Sequence, residues 1–575
     1  MNSLRKKMLL SLTLAAAMLL TTITSAAAAP KDKPKDLQPP KSSIQSYVEA
    51  MQPGWNLGNT LDATGEDETS WGNPRVTKEQ IKAVKANGFN SIRIPVTWDQ
   101  RMGQGPDYAI DPAFMDRVEE VVDWSLDEGL YVMINLHHDS WLWVSKMEKN
   151  PAEVKARYNA AWTQIADRFK NHSNKLMFES INEPRFTDGW GAEDPSHLRY
   201  LDELNTSFYN IVRKSGGSND VRPLVIPTLE TNAAQEKLDH LHDYIKNLND
   251  PNLIATIHYY GFWPFSVNIA GVTTFNEETI KDIDDTFDRT YDTLVADGIP
   301  VILGEFGLLG FDKHTGVIEQ GEKLKFFEYI LNYVQQRKIA HMIWDNGQHL
   351  NRNTLAWSDP ELYEMMKASW KGRSATAKSD LIFVNKGAQV QDAVIPMEMN
   401  GNRLVNIWVG DKGKNKLRAG ADYTLYRDVL TIKASALARL TASGGYGEQA
   451  VLQADFNQGA DWNFRVILND TPKLEAATGT AADFVIPTQF NGDLLATMEA
   501  VYEDGSNAGP QNWTSFKEFA YTFSPDVEAG TIQLTENFFK EVNDGVVNLK
   551  FHFWSGEILS YTITKDGNSI TGMAK

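Results

Sequence analysis

Two glutamates stand where strand-like apolar runs end, and together they could perform acid–base and nucleophilic chemistry. Glu183 follows the run 176–182, and Glu305 closes the run 301–305. Two carboxyl groups on opposite sides of a glycosidic bond can break it, because one protonates the leaving oxygen while the other attacks the anomeric carbon or activates a water. A separation of about 5–5.5 Å between the carboxyl groups produces retention of configuration, and one of about 6.5–9.5 Å produces inversion. The sequence leaves that separation open.

The elements that must position these glutamates are apolar runs that alternate with helix-like segments between residues 50 and 345. Thr77 and Gln80 form a capping box that predicts a helix start, and Gly88 marks the end of that helix. Eight strands alternating with helices over roughly 300 residues predict a (β/α)8 barrel, an α/β fold. An open doubly wound sheet is the alternative, but the segment 54–60 lacks the glycine-rich phosphate loop expected after its first strand. The runs span residues 54–59, 91–95, 130–136, 176–182, 224–227, 253–258, 301–305 and 341–344.

Further polar and aromatic residues follow other strands at the same end. Active sites of such barrels lie at the carboxyl ends of the strands, so these side chains are expected to meet Glu183 and Glu305. Trp141, Trp143 and Trp190 follow the third and fourth strands, where their indole rings could line a cleft for several sugars, with loop packing as the alternative. The polar groups are His137-His138-Asp139 after the third strand, His258-Tyr259-Tyr260 after the sixth and Trp344-Asp345-Asn346 after the eighth.

The neighbouring His137 and His138 raise the question of a metal site. Adjacent residues of a strand point to opposite faces, so we expect that these two side chains do not hold one ion together. Hydrogen bonding beside the carboxylates is the role expected instead. The sequence therefore predicts no metal.

Composition restricts the partners and the compartment. The formal charge of −19 repels phosphate backbones, so no binding of nucleic acid is expected. The chain contains no cysteine, which excludes disulfides and cysteine-ligated metals. Its 16 tryptophans supply flat surfaces suited to sugar stacking, although core packing is the alternative for each of them.

The N-terminal segment has the pattern of a secretory signal. Basic residues at 5–7 precede an apolar run at 8–20, and small residues follow up to position 29. This pattern predicts a signal peptide over residues 1–29 and a secreted, extracellular protein without a membrane anchor. The run is short for a permanent span, although a retained N-terminal anchor is the alternative. Residues 30–42 are rich in proline and lysine and are expected to form a flexible leader.

We place the predicted barrel domain at residues 43–372. After it, the secondary-structure pattern of the sequence changes. Short β-rich segments separated by Gly, Asn and Asp then continue to the end of the chain. This pattern is typical of all-β sandwiches. Thr471-Pro472 is a plausible break, which divides the tail into one sandwich module at 373–470 and another at 471–575.

The ordered set of motifs resembles glycoside hydrolase family 5, specifically its subfamily rich in β-1,4-glucanases and xyloglucanases. The resemblance covers nearly all of residues 45–370. It rests on GWNLGNTLDA (54–63), SIRIPVTW (91–98), INLHHD (134–139), FESINEP (178–184), HYY (258–260), VILGEFG (301–307) and IWDNG (343–347).

The resemblance implies roles for the rim residues. Glu183 is expected to be the general acid/base and Glu305 the nucleophile, in a retaining double displacement that needs no metal or organic cofactor. Arg93 is expected to lower the pKa of the nucleophile, Tyr260 to hydrogen-bond it, and Trp344 to lie under the sugar at the cleavage point. Asn182 and Asn56 are expected to contact sugars. The complete substrate-binding set expected is Asn56, Arg93, His137, His138, Trp141, Asn182, Trp190, His258, Tyr260, Trp344 and Trp513.

The two tail modules resemble other families. The first resembles the immunoglobulin-like X2 module of bacterial cellulases, and the second resembles carbohydrate-binding module family 46. Trp513 and Trp554 of the second module are then candidates for sugar stacking. Trp513 lies in the polar segment SNAGPQNWTS, where burial is not expected.

Several functions stay compatible with these features. The leading hypothesis is a monomeric endo-β-1,4-glucanase acting on cellulose-type glucan. The same chemistry would serve xyloglucan, mixed-linkage glucan or, less readily, mannan. A non-catalytic carbohydrate-binding protein on an inactive barrel is the rival from another class, but it would be expected to lack a catalytic acid, and both Glu183 and Glu305 are present.

Overall fold

Eight parallel strands close into a barrel in the computed structural model, which describes residues 43–575 except 188, 192 and 193. The predicted signal peptide and leader lie outside the described residues. Each strand is a short apolar run that is buried on both faces, as expected for a parallel sheet covered by helices. The strands are β1 Gly54–Asn56, β2 Ser91–Ile94, β3 Tyr131–Asn135, β4 Leu176–Glu179, β5 Leu224–Pro227, β6 Leu253–Tyr259, β7 Val301–Phe306 and β8 Ala340–Ile343. The predicted (β/α)8 barrel is confirmed.

Helices lie between the barrel strands and begin where the sequence signals place them. Thr77 and Gln80 make both hydrogen bonds of the capping box, and Asp111 caps the helix that starts with Pro112. Within the described residues no helix is sufficiently long and apolar to cross a membrane. The helices up to residue 369 are α1 Ser43–Ala50, α2 Lys78–Ala86, α3 Pro112–Asp127, α4 Asp139–Leu142, α5 Pro151–Phe169, α6 Ser196–Lys214, α7 Gln235–Leu248, α8 Trp263–Ser266, α9 Glu277–Thr290, α10 Gln320–Gln336 and α11 Pro360–Ser369.

A bulge in β7 aims one of the two glutamates into the barrel mouth. Ile257 pairs with Leu303, but the next residue, His258, pairs with Glu305, so Gly304 is the extra residue. A β-carbon at Gly304 would lie 2.8 Å from the Thr256 hydroxyl, and for this reason only glycine fits there. Bulges re-aim side chains next to functional sites, and this one places Glu305 beside His258.

The tail consists of β-sheets, with two short helices, α12 Ala434–Leu440 and α13 Glu536–Lys540. A five-stranded sheet (β10-β17-β16-β12-β13) and a four-stranded one (β14-β15-β11-β9) come first. Their strands are β9 Thr376–Ala377, β10 Leu381–Asn385, β11 Ala393–Glu398, β12 Leu404–Val409, β13 Asn415–Lys416, β14 Tyr423–Tyr426, β15 Val429–Ile432, β16 Gly447–Phe456 and β17 Trp462–Asn469.

A second pair of sheets follows, one with the order β18-β20-β24-β23 and one with the order β19-β27-β26-β25-β21-β22. Phe484, Met498 and Phe551 belong to the buried core that both sheets share. The prediction of all-β modules behind the barrel is thereby confirmed. The strands are β18 Lys473–Leu474, β19 Ala477–Thr480, β20 Phe484–Gln489, β21 Leu495–Tyr502, β22 Phe516–Lys517, β23 Phe523–Asp526, β24 Thr531–Leu534, β25 Gly545–Phe553, β26 Ile558–Asp566 and β27 Ser569–Ala574.

The last pair of sheets packs against loops at the mouth of the barrel. Asn268, in the segment after β6, donates its side-chain amide to the carbonyl of Ala496. The backbone carbonyl of Asn268 accepts a hydrogen bond from the backbone N–H of Phe519. Lys313, in the segment after β7, forms an ion pair with Glu518. Since the segments after the strands surround the active sites of barrel enzymes, this junction lies on the functional side.

Candidate active site

Glu183 and Glu305 face each other at the mouth of the barrel. Glu305 lies on β7 and is buried, whereas the side chain of Glu183, beyond the end of β4, stays 24% exposed. Glu183 has a φ of 40°, which is uncommon for a residue other than glycine and marks a strained position held by its surroundings. One carboxylate oxygen of each residue lies within 4.8 Å of the other.

Arg93 on β2 is the buried cation beneath this pair. Its Nη1 donates to Oε1 of Glu305 at 2.6 Å and to Oδ1 of Asn56 at 3.0 Å. Its Nη2 donates to Oδ1 of Asn182 at 2.6 Å and to Oε2 of Glu179 at 2.7 Å, and its Nε donates to the same Glu179 oxygen at 2.9 Å. All five N–H groups of the guanidinium are therefore used in hydrogen bonds.

Glu305 is held in its ionised form by its neighbours. Burial raises the pKa of its carboxyl group, but His258, Arg93 and a hydrogen bond from Tyr260 outweigh burial, so that the pKa lies below the ordinary value. The Tyr260 hydroxyl donates to Oε2 of Glu305 at 2.5 Å. Burial and the nearby Glu305 raise the pKa of Tyr260 well above its usual value, so the phenol keeps its proton and remains a donor.

Two histidines flank the carboxylates. Nδ1 of His258 lies 2.9 Å from Oε1 of Glu183 and 3.6 Å from Oε2 of Glu305, so this ring contacts both. Nε2 of His137 lies 3.9 Å from Oε1 of Glu305. Burial and the nearby His138 lower the pKa of His137 well below its usual value, so this ring is neutral. It stacks on Trp344, with ring centroids 5.8 Å apart and the planes nearly parallel.

The structure corrects two expected sugar contacts. Asn56 is fully buried: its amide nitrogen donates to the carbonyls of Gly304, Met342 and Ile343, and its oxygen accepts from Arg93. Asn56 therefore supports Arg93 and does not face a sugar. Arg93 itself is fully buried and contacts Glu305, so it does not belong to the surface that touches substrate.

The expected placement of His137 and His138 on opposite faces of a strand, from which we predicted that they share no ion, is wrong. Strand β3 ends at Asn135, so the two histidines do not alternate across a strand, and their ring centroids are 4.5 Å apart. Ligand atoms of Asp62, His137 and His138 lie within 4.8 Å of one another. Nδ1 of His138 nevertheless accepts from the Trp141 indole at 2.8 Å, which leaves the proton of the neutral ring on Nε2, facing Asp62. A proton at that atom opposes metal ligation, and the absence of a metal stays a prediction.

Several indole rings on segments that follow the barrel strands are exposed. Trp141 and Trp190, both expected on the rim, are exposed, and Trp190 lies over the guanidinium of Arg185 at 4.6 Å. Trp143 is buried and donates to Asp139, so it packs a loop instead of lining the cleft. The sequence interpretation missed Trp71, an exposed ring 5.1 Å from that of His138. Its only signal was a tryptophan in the polar loop after β1.

The tail contributes an indole to the same side of the molecule. Trp513 is 58% exposed, and its ring centroid lies 6.0 Å from that of Trp263 in α8, which is 40% exposed. Trp263 was not identified as a site residue, although it stands directly after the strand that carries His258. Trp554, the other tail candidate, is half-buried.

The arrangement is suited to nucleophilic substitution with proton transfer. It combines a buried carboxylate kept ionised, a more exposed carboxyl group nearby, and the aromatic rings of Tyr260 and Trp344. Asn182 has its oxygen occupied by Arg93, which leaves its amide nitrogen as the end available to a ligand.

Models of known families match three consecutive parts of the chain. "Cellulase (glycosyl hydrolase family 5)" matches residues 58–350, "Carbohydrate binding domain X2" matches 376–466, and a "Carbohydrate binding domain" of the CBM46 type matches 470–573. The first match covers the barrel strands that carry Glu183 and Glu305.

Similar proteins share the full arrangement. The chain is 58% identical over 569 residues to Endoglucanase B of Paenibacillus lautus, covering 99% of each chain. It is 56% identical to a full-length tri-modular endo-β-1,4-glucanase B from Bacillus halodurans, with a TM-score of 0.91 and coverage of 93% of this chain and 100% of that one. A tri-modular endo-β-1,4-glucanase from Bacillus licheniformis in complex with cellotetraose is 32% identical, with a TM-score of 0.77 and coverage of 92% and 99%.

Proposed function

This chain belongs to glycosyl hydrolase family 5, and from that premise we propose that it is a secreted, retaining endo-β-1,4-glucanase in which Glu305 is the nucleophile and Glu183 the general acid/base. The observation that carries the proposal is the pair of carboxylate oxygens within 4.8 Å of each other, one carboxylate buried and ionised, the other more exposed. That separation is close to the distance typical of retaining enzymes, about 5–5.5 Å, and shorter than the 6.5–9.5 Å of inverting ones.

The reaction proceeds in two displacements. In the first, an oxygen of Glu305 bonds to the anomeric carbon while the glycosidic C–O bond breaks, and the leaving oxygen takes the proton of Glu183. In the second, water gives a proton to Glu183 and bonds to the anomeric carbon, and the ester bond to Glu305 breaks. The enzyme regains its starting protonation, and the two inversions return the β configuration.

The environment of each carboxyl group supports its role. Arg93 and Tyr260 hydrogen-bond both oxygens of Glu305 and keep it charged before attack. Glu183 has greater access to solvent, as the residue that exchanges protons with water requires. Trp344, stacked on His137, presents an indole face beside the carboxylates, and the free amide end of Asn182 points to the recognition of a sugar hydroxyl.

The tail modules take different roles in this proposal. Residues 43–372 perform hydrolysis, residues 373–470 connect the barrel domain to the last module, and residues 471–575 bind the same glycan chain. The last assignment is supported by the neighbouring Trp513 and Trp263, exposed rings that could stack on successive sugars of a chain leaving the cleft. Two similar solved structures described as tri-modular endo-β-1,4-glucanases support a β-1,4-glucan as the substrate.

Two measurements test the proposal. Proton NMR of freshly released product is expected to show the β anomer first, and the α anomer first would exclude Glu305 as a nucleophile. Reducing-sugar release is expected on carboxymethylcellulose and at internal bonds, seen as an early fall in viscosity. Activity on mannan alone among carboxymethylcellulose, xyloglucan, lichenan and mannan would contradict the assigned substrate class.

A further inference from the structure

A second buried carboxylate, Glu179, lies behind Arg93 on the side opposite Glu305. Glu179 ends β4 and is fully buried. Its Oε2 accepts hydrogen bonds from Nε and Nη2 of Arg93 and, at 2.7 Å, from the amide of Asn135. The same Asn135 amide lies 3.1 Å from Nδ1 of His137. Glu179 therefore touches the groups that hold Glu305 without touching Glu305 itself.

Arg93, Glu179 and Glu305 carry a net charge of −1 in the resting enzyme, and their charges balance only while Glu305 is an ester. Arg93 carries one positive charge between two carboxylates, Glu179 at 2.7 Å and Glu305 at 2.6 Å. When Glu305 forms an ester, its negative charge disappears, whereas the charge of Glu179 stays. Arg93 is fully buried and without solvent, so a lone guanidinium at that stage would be strongly destabilised.

We propose that Glu179 is a positioning residue that balances the charge of Arg93 when Glu305 is discharged, so that Arg93 stabilises the nucleophile without over-stabilising it. This inference rests on the proposed function, since it requires Glu305 to alternate between anion and ester. A buried arginine with Glu305 as its sole counter-ion would hold the carboxylate too strongly and oppose its loss of charge. With Glu179 present, the pair Arg93–Glu179 remains neutral in the covalent intermediate.

The geometry favours charge balance over simple fixation of the arginine. Asn56 and Asn182, two neutral acceptors, already orient both terminal nitrogens of Arg93. Neutral acceptors thus suffice to orient the guanidinium, and what distinguishes Glu179 from Asn56 and Asn182 is its negative charge.

The test is the pH profile of kcat/KM in Glu179→Gln, measured with an aryl β-cellobioside whose leaving group needs no proton. The acid limb of that profile reports the ionisation of Glu305. The groups that face Glu305 are Arg93, His258, His137, Tyr260, Glu183 and Asp312. None of them is changed by the substitution. Without the charge of Glu179, Arg93 acts on Glu305 alone, so the acid limb is expected to move to lower pH by about one unit. The plateau of kcat/KM is expected to fall, and the burst of phenol released before the steady state to shrink.

The opposite result distinguishes a purely structural role. If Glu179 only orients Arg93, the arginine loosens in the variant, Glu305 loses its stabilisation, and the acid limb moves to higher pH. Either that shift or an unchanged limb would overturn the proposal. Glu179→Asp, which keeps the charge but withdraws it from Arg93 by one methylene, is expected to shift the limb in the same direction by less, and it serves if the glutamine variant fails to fold.

A matched control separates this effect from the loss of any buried ion pair. Glu68 makes a bidentate pair with Arg117, at 2.8 and 2.7 Å, and both residues are buried without touching the candidate active site. Glu68→Gln is expected to lower the melting temperature and leave the acid limb in place. Failure of the proposed function would appear separately, as absence of β-glucanase activity in the wild-type protein.

Discussion

The barrel mouth and the loop that presents Trp513 each contain a buried cation, but the two cations are held in different ways. Arg93 lies between the carboxylates Glu179 and Glu305. Lys517 is likewise buried, yet its ammonium donates to the backbone carbonyls of Pro510 and Thr514. Burial lowers the pKa of Lys517 to about 8.

Under the proposed mechanism, this difference distinguishes a region whose charge changes during the reaction from a region that only presents a binding surface. In the proposed mechanism the carboxylate of Glu305 loses and regains its charge in the mouth, next to an arginine that stays positive between two carboxylates. Under the Trp513 loop the ammonium joins two carbonyls across a turn, so its position matters more than its charge. Substitutions in the mouth should therefore affect every substrate, and substitutions in the loop should affect long chains only.

Glu305→Gln gives the largest expected effect. The amide cannot form the ester, so hydrolysis of polysaccharides and of short aryl cellobiosides should both fall by several orders of magnitude, irrespective of leaving group. The measurement is initial rates on both substrate types, with a circular-dichroism melt to confirm folding. Near-normal turnover by the purified variant on either substrate would contradict the role of Glu305.

Glu183→Gln is expected to lower the rate of hydrolysis by less than Glu305→Gln does, and the size of this loss should depend on the substrate. Loss of general acid–base catalysis lowers rates by about 10²–10⁴-fold where the leaving oxygen needs a proton. An aryl glycoside with a good leaving group should still react with Glu305, giving a rapid burst of phenol followed by slow hydrolysis of the trapped ester. Measured as kcat/KM, which reports the first displacement, equal losses on good and poor leaving groups would show that Glu183 does not supply the proton.

The sequence was sufficient to predict the barrel and the positions of Glu183 and Glu305 at its mouth, because both depend on local patterns. Strands buried on two faces are continuous apolar runs, and barrel enzymes carry polar groups where these runs end. The bulge at Gly304 was beyond sequence reasoning, since it is defined by the register of β7 against β6. The positions of His137 and His138 were misjudged because β3 ends before them, at Asn135.

Contacts between distant parts of the chain account for what was missed. Asn56 was expected to face a sugar, but β7 and β8 supply three carbonyls that occupy its amide. Trp263 becomes a candidate for sugar stacking because Trp513, far along the chain, lies beside it. The identity of a residue shows that it can stack on a sugar, whereas its exposure depends on how the modules pack.

Trp513→Ala should have a smaller effect that grows with chain length. Loss of one stacking contact of about 0.5–1.5 kcal/mol corresponds to a roughly two- to tenfold loss of kcat/KM on long or insoluble glucans. Hydrolysis of aryl cellobioside, which offers only two sugars, should be unchanged. Trp513→Phe should recover part of the loss, and Trp408→Ala, at a half-buried tryptophan of the middle module, serves as the control. A loss on cellobioside equal to that on polysaccharide would refute a binding role.

Lys517→Met gives the smallest expected effect, on stability and its pH dependence. The folded pKa of Lys517 is about 8 and the ordinary value is 10.5, so between these values the unfolded chain retains a proton that the folded chain has lost. Stability of the wild-type module therefore rises with pH through this window, relative to a variant that has no amine there. The methionine variant removes this gain, so the wild-type advantage in melting temperature should be larger near pH 10 than near pH 7.

Each kcal/mol of this stability difference corresponds to roughly 4–8 °C in the melting temperature of a module of about 100 residues. Differential scanning calorimetry of both full-length proteins at the two pH values measures this change, and an advantage that is constant or shrinks with rising pH would contradict a buried ammonium under the Trp513 loop.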